Sequence, residues 1–141
     1  NPLQESIKQQ LRYDPGTAGA WMDTDFFSFS SNSTCQDCLD YLRSHSLPPE
    51  SIFYIYIENE KREFIGVVSI RSVIMAEPTV KLESLMKKNL VTLTVQTPKV
   101  EIANIMSRYH LLALPVVNEE KKIAGVIKIH DVLTSALEYP V

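Results

Sequence analysis

The residues best placed to do chemistry are Ser69 and Asp131, which lie in two similar stretches of the chain, 66–74 and 125–133. Each stretch has a glycine, a short β-rich run and then a predicted helix start. A hydroxyl at the end of a strand, followed after two residues by a carboxylate at a helix start, can hold a ribose, because both groups accept hydrogen bonds from sugar hydroxyls. A phosphate would be favoured beside the helix N-terminus. The pattern therefore predicts a nucleotide site.

The cysteines and histidines form no comparable pattern. Cys35 and Cys38 are the two cysteines of the chain, and no second pair completes the four ligands of a structural zinc site. Cys38 aligns with the apolar Ile102 of the second half, so we interpret it as a small core residue. His130 adjoins Asp131, but adjacent helix residues point in different directions. Nucleophile elbows, phosphate-binding glycine loops and paired catalytic carboxylates are missing from the sequence, and we expect no enzyme.

Composition narrows the class of protein further. The 141 residues are 45% hydrophobic and 22% charged, which is an ordinary soluble composition. A formal net charge of −3 gives no electrostatic reason to expect nucleic acid as a partner. No apolar run approaches the roughly 20 residues that cross a bilayer. The chain begins at Asn1 rather than methionine, so we expect a piece of a longer protein.

An internal repeat positions the candidate residues. Met22 matches Met86 at an offset of 64, and Gly66 matches Gly125 at an offset of 59. The first half therefore holds five extra residues, which we place in a longer loop at 44–51.

Each half is predicted to run β-α-β-β-α. In the first half the strands are predicted at 26–29, 53–57 and 64–70, and the helices at 34–45 and 71–76. In the second half the strands are predicted at 90–93, 112–117 and 123–129, and the helices at 98–109 and 130–137. Ser33 and Thr97 are the expected N-caps of the longer helices. Five elements in about 60 residues bury little surface, so an α/β (α+β) fold with one core shared by both halves is expected.

A short helix is predicted ahead of the repeats, at 2–13. Leu3, Ile7 and Leu11 recur every four residues and form a narrow apolar stripe suited to docking on a neighbour. The run Asp-Pro-Gly at 14–16 ends this helix, and a second short helix at 17–22 follows it.

The doubled unit, with its Gly-x-x-Ser/Thr-x-x-Asp pattern, resembles the CBS domain pair, or Bateman module. The stretch 13–22, Tyr-Asp-Pro-Gly-Thr-Ala-Gly-Ala-Trp-Met, is similar to the segment that precedes the CBS pair in MgtE-type magnesium transporters. The same likeness holds for 53–57 with 66–71, and for 109–117. It runs from about Tyr13 to Leu137.

The resemblance implies a cytosolic regulatory domain of a homodimeric membrane channel for Mg²⁺. Residues 1–16 would end a preceding helical domain, 17–79 would be the first CBS repeat and 80–141 the second. The partners would be a second copy and the N-terminal helical and transmembrane domains of the same parent chain. The piece itself would be soluble, on the cytoplasmic side of the inner membrane, and would sense Mg²⁺. In some members of the family, bound ATP tunes this sensing.

The resemblance also assigns nucleotide-binding residues, and each half departs from its pattern. The first half has Ser69 but carries Ser72 in place of the acid. The second half has Asp131 but carries Lys128 in place of the hydroxyl. Neither half supplies both ribose contacts in the usual way, while Arg71 and Lys128 can attract phosphates.

For Mg²⁺, the resemblance leaves two acids in the second half, Glu101 and Asp131. Two carboxylates and water hold Mg²⁺ weakly unless a second copy or another domain adds ligands. Two alternative functions stay open: a stand-alone adenosine-nucleotide sensor with a CBS pair, and a structural dimerisation module whose ligand sites are eroded.

Overall fold

The fold is taken from a computed structural model that describes residues 13–45, 54–88 and 90–138, with side chains described as far as Leu133. Its elements are α1 Ala18–Trp21, β1 Ser28–Ser30, α2 Cys35–Ser44, β2 Tyr54–Glu58, β3 Phe64–Ser69, α3 Ile70–Met75, α4 Leu82–Leu85, α5 Lys99–Tyr109, β4 Ala113–Val117, β5 Ile123–Lys128 and α6 Ile129–Glu138. The predicted helix at 2–13 lies outside the described residues apart from Tyr13, and so does most of the predicted loop at 44–51.

The described chain divides into two compact units. The first unit is formed by residues 27–90, and the second by residues 13–26 together with 91–138. The described buried apolar residues form two clusters, one within each unit, and the single shared core that the sequence predicts stays a prediction. The predicted repeat boundaries, 17–79 and 80–141, stay a prediction. The compact units differ from these repeats, because the segment 17–26 packs within the second unit.

The first unit is built on a three-stranded sheet in the order β1-β2-β3. β1 runs parallel to β2, with Ser28 opposite Tyr56, and β2 runs antiparallel to β3, with Tyr54 opposite Ser69. Successive side chains alternate between the two faces of a strand. Ile55 and Ile57 of β2 therefore lie on one face and pack against buried residues of the helices. The buried members of this core are Cys35, Cys38, Ile55, Ile57, Val68, Val73 and Leu82.

The second unit has a two-stranded sheet, because the predicted strand at 90–93 is reduced to one bridge. Leu93 N–H donates to Pro115 O at 2.9 Å and Leu93 O accepts from Val117 N–H at 2.8 Å. A longer parallel ladder would next need the N–H of residue 115, and proline has none. β4 pairs with β5 in antiparallel register, with Ala113 opposite Lys128.

A short segment bridges the edge of each sheet, and the two segments are equivalent in the repeat, at the offset of 64. Asp23 bridges Val126 of β5, and Lys87 bridges Val67 of β3. The methionine before each bridging residue packs on the glycine of the strand, Met22 on Gly125 and Met86 on Gly66. A Cβ at either glycine would come within 3 Å of methionine side-chain atoms, which would then have to shift.

The helix starts differ from the sequence prediction by one residue. Thr34, rather than Ser33, caps α2 in a capping box: Asp37 N–H donates to Thr34 Oγ1 at 3.1 Å and Thr34 N–H donates to Asp37 Oδ2 at 2.9 Å. Pro98, rather than Thr97, occupies the N-cap position of α5. The Thr97 hydroxyl instead accepts from Thr94 N–H at 3.0 Å and closes the turn before the helix.

Candidate ligand site at the strand–helix junctions

In the first unit, the β3–α3 junction brings two hydroxyls together. Ser69 ends β3 and caps α3, and its Oγ accepts from Ser72 N–H at 3.2 Å. The two hydroxyl oxygens lie 2.9 Å apart in a half-buried position. Arg71 is exposed beside them on the first turn of α3. The junction therefore presents a polar pair that can exchange its internal hydrogen bond for one to a ligand, with a cation next to it.

In the second unit, the β5–α6 junction holds an ion pair that the sequence did not predict. Lys128 ends β5, and its Nζ lies 3.1 Å from Asp23 Oδ2. The Lys128 side chain is 13% exposed and that of Asp23 is 36% exposed. Asp131 is half-buried on the first turn of α6. The phosphate-binding role of Lys128 stays a prediction, and a phosphate at this position would compete with the Asp23 carboxylate for the ammonium.

The sheet face that carries Ser69 also carries Tyr54, Tyr56 and Glu58, since residues two apart on β2 share a face. Ser28 Oγ donates to Glu58 Oε1 on this face at 2.8 Å. Tyr56 is 5% exposed and its hydroxyl has no hydrogen-bond partner among the described residues. Burial, and to a smaller extent the neighbouring Tyr54, raises the pKa of Tyr56 well above its usual range.

Sequence reasoning missed two of these residues for different reasons. Tyr56 could have been identified from the Tyr-Ile-Tyr-Ile alternation at 54–57. This pattern places the isoleucines on one face of the strand and the tyrosines on the other. Asp23 had no local signal, because it is brought to Lys128 by a backbone bridge to Val126, which is distant in sequence.

The predicted metal ligands are not part of a larger cluster. Glu101 is exposed on the first turn of α5, and Asp131 lies on α6. Within residues 13–45, 54–88 and 90–138 there is no group of three or more His, Cys, Asp or Glu side chains that could hold a metal ion. The residues present do not fit a complete Mg²⁺ site, and the pair stays a prediction.

Cys38 is a core residue, as predicted, and so is Cys35. Cys35 and Cys38 are both fully buried in the first unit and both are free thiols. Burial raises the pKa of both thiols, and that of Cys38, with a smaller contribution from Cys35, reaches about 11. The reactive thiolate is therefore disfavoured at neutral pH.

None of the described helices combines the length and apolar character needed to span a membrane.

Comparisons with known proteins identify relatives along almost the whole chain. The sequence profile of the CBS domain matches residues 18–78 and 82–138. The magnesium transporter MgtE of Thermus thermophilus is 33% identical over 127 residues, which is 90% of this chain and 28% of that protein. MgtE of Bacillus subtilis is 29% identical, over 92% of this chain and 29% of its own length. The chain thus spans less than a third of these relatives.

A solved structure agrees with the sequence comparison. The cytosolic domain of the Mg²⁺ channel MgtE in complex with ATP superposes with a TM-score of 0.88 at 30% identity. The match covers 96% of this chain and 55% of that chain. The predicted mixed helix–strand fold with two tandem repeats is confirmed by this likeness.

Proposed function

The chain is a member of the CBS domain family, and on that premise we propose that it is the cytosolic regulatory part of an MgtE-type magnesium transporter. The observation that carries the proposal is the extent of the similarity to MgtE, which includes both repeats and nine-tenths of the chain. A module of this kind acts by conformation rather than by catalysis. A ligand that binds one arrangement of the domains more tightly shifts the population toward it.

In this proposal, Mg²⁺ is the transported ion and also the signal, and the chain supplies only part of a sensing site. Glu101 and Asp131 are the candidate contributors. Mg²⁺ prefers octahedral oxygen coordination and retains several waters. Because the described residues lack a cluster of three ligands, the remaining ligands would come from a second copy or from another part of the parent protein.

A second copy of the chain is the proposed partner, together with the helical and membrane domains of the same parent. In each unit, the helix that follows the antiparallel strand pair exposes a large apolar residue at the equivalent position of the repeat. Ile74 of α3 is 62% exposed and Leu133 of α6 is 57% exposed, and Met75 beside Ile74 is 77% exposed. Clustered exposed apolar side chains are typical of interaction surfaces. This pairing favours self-association through the α3 and α6 faces.

The second candidate function is binding of ATP or another adenosine nucleotide, and the first unit favours it. Ser69 and Ser72 offer two adjacent hydroxyls that fit ribose hydroxyls, and the Arg71 guanidinium fits a phosphate. A bound nucleotide would supply the negative charge that Arg71 pairs with. Asp131 remains a candidate acceptor in the second unit.

Melting curves of the chain separate the three readings. A regulatory module of a magnesium transporter should melt at a higher temperature with Mg²⁺, because binding to the folded state adds stability. A stand-alone nucleotide sensor should respond to ATP, ADP or AMP and not to Mg²⁺ alone. If neither ligand changes the melting temperature at millimolar concentration, the chain by itself binds neither, which is the result expected of a structural dimerisation module.

A further inference from the structure

Asp23 is held on β5 by its backbone. Asp23 N–H donates to Val126 O and Val126 N–H donates to Asp23 O, both at 2.9 Å. Lys128 lies two residues beyond Val126 on the same strand, so its side chain projects from the same face as that of Val126. The two backbone hydrogen bonds therefore fix the Asp23 side chain next to Lys128, and Oδ2 meets Nζ at 3.1 Å.

Both carboxylate oxygens of Asp23 are in use. Oδ2 pairs with Lys128, and Oδ1 accepts from Asp25 N–H at 2.8 Å. The Lys128 side chain is 13% exposed, and a largely buried ammonium requires a counter-charge. Because the backbone holds Asp23 in place and the Asp25 N–H orients its carboxylate, the side-chain entropy lost on pairing is mainly that of Lys128.

The equivalent place in the first unit has the opposite chemistry. Lys87 bridges Val67 of β3 through hydrogen bonds of 2.9 and 3.2 Å, as Asp23 bridges Val126. Ser69 lies two residues beyond Val67, where the second unit has Lys128. The first unit thus has a lysine and a hydroxyl at the two positions where the second unit has an aspartate and a lysine. At these two positions the charges cancel in the second unit and leave a positive charge in the first.

We propose that Asp23 is a specificity-determining residue whose carboxylate occupies the place on Lys128 that an anionic ligand group would take. The second unit is thereby closed to phosphate-bearing ligands, and such ligands are confined to the first unit. The inference rests on the proposed nucleotide function for the class of ligand, but the closed state of Lys128 can be tested without a nucleotide.

The test uses inorganic tripolyphosphate as the probe and calorimetric titration of the full chain. Asp23→Asn keeps the Oδ1 acceptor for Asp25 N–H and removes only the charge. This variant should bind tripolyphosphate about tenfold more tightly than the unmodified chain, the gain typical of one hydrogen bond to a charged group.

Asp25→Asn makes the same change in net charge two residues away and should leave binding unchanged. Adding Lys128→Met to Asp23→Asn should abolish the gain. Equal binding by the two single variants, or a gain that survives without Lys128, would overturn the proposal.

A measurement on the unmodified chain covers the case in which Asp23→Asn does not fold. Acetic anhydride labels lysines at a rate set by the free amine, and a bound anion slows the labelling. Tripolyphosphate should leave the rate at Lys128 unchanged, and protection of Lys128 would overturn the proposal. Lys87 is the internal comparison. If neither tripolyphosphate nor ATP changes the labelling rate of Lys87, the result counts against the nucleotide site of the first unit. It does not count against the closure of the second unit at Lys128.

Discussion

Met22 packs against Gly125 so closely that a Cβ on the glycine would lie 2.7 Å from Met22 Cγ. The same Cβ would lie 2.9 Å from the backbone oxygen of Asp23. The methionine side chain can move, but the oxygen belongs to a residue that is hydrogen-bonded to β5. This contact holds the segment that carries Asp23 against the strand that carries Lys128.

Gly125→Ala should therefore lower the free energy of unfolding by about 1–3 kcal/mol, the usual cost of forcing extra volume into a packed site. Gly66→Ala should cost less, because the atoms that a Cβ would meet there all belong to the Met86 side chain. Gly16→Ala is the matched control, since its nearest neighbour would be 3.8 Å away. Urea unfolding of the three variants gives the order, and a loss at Gly16 as large as that at Gly125 would contradict this account.

Thr34→Ala should destabilise the chain by about 1 kcal/mol, because the capping box of α2 loses its side-chain acceptor. Ser33→Ala is the control: Ser33 precedes the cap, and its backbone oxygen, which the substitution keeps, accepts from Leu82 N–H at 2.8 Å. Chemical denaturation should find Ser33→Ala within about 0.5 kcal/mol of the unmodified chain. The reverse order would place the cap at Ser33.

Ser72→Asp should strengthen ATP binding by about tenfold, since it restores a carboxylate within reach of the Ser69 hydroxyl. The 2.9 Å separation of the two hydroxyl oxygens means that the residue at position 72 already faces Ser69. Ser72→Asn has a similar size without the charge and should gain much less. Isothermal titration with ATP makes the comparison, and equal affinities for the two variants would argue against a ribose at this junction.

Stability should fall as the pH rises from about 9 to 11. The Cys38 thiol has its pKa raised from 9.0 to about 11 by burial and by Cys35, so the unfolded chain ionises there first and is stabilised relative to the folded chain. Below about pH 9 both states are protonated and the effect is absent. Urea midpoints at pH 8 and pH 10.5 check this, with Cys38→Ala as the control. An equally steep loss in Cys38→Ala would assign the pH dependence to other groups.

Much of the fold follows from the sequence, because the repeat and the turn residues are local signals. The strands near Ile55 and Val126 and the long helices were predicted to within a residue or two. The strand at 90–93 was overpredicted, since its propensity is real but the missing N–H of Pro115 limits the pairing.

The site was less predictable than the fold. Ser69 was identified as the end of a strand, and the structure places it there with Ser72 beside it. The partner of Lys128 was not identified, because the contact depends on which segment lies beside β5. Patterns that repeat every two or four residues carry no information on such a pairing. Only the offset of 64, which aligns Asp23 with Lys87, hints that the two segments have equivalent places.

The most direct test of the regulatory function is Mg²⁺ flux through a chimera. In the chimera, this chain replaces the matching segment of Thermus thermophilus MgtE, and a version that lacks the segment is the control. We predict that millimolar Mg²⁺ on the cytosolic side closes the chimera while the control stays open. Flux through the chimera that is as insensitive to cytosolic Mg²⁺ as flux through the control would contradict the regulatory function.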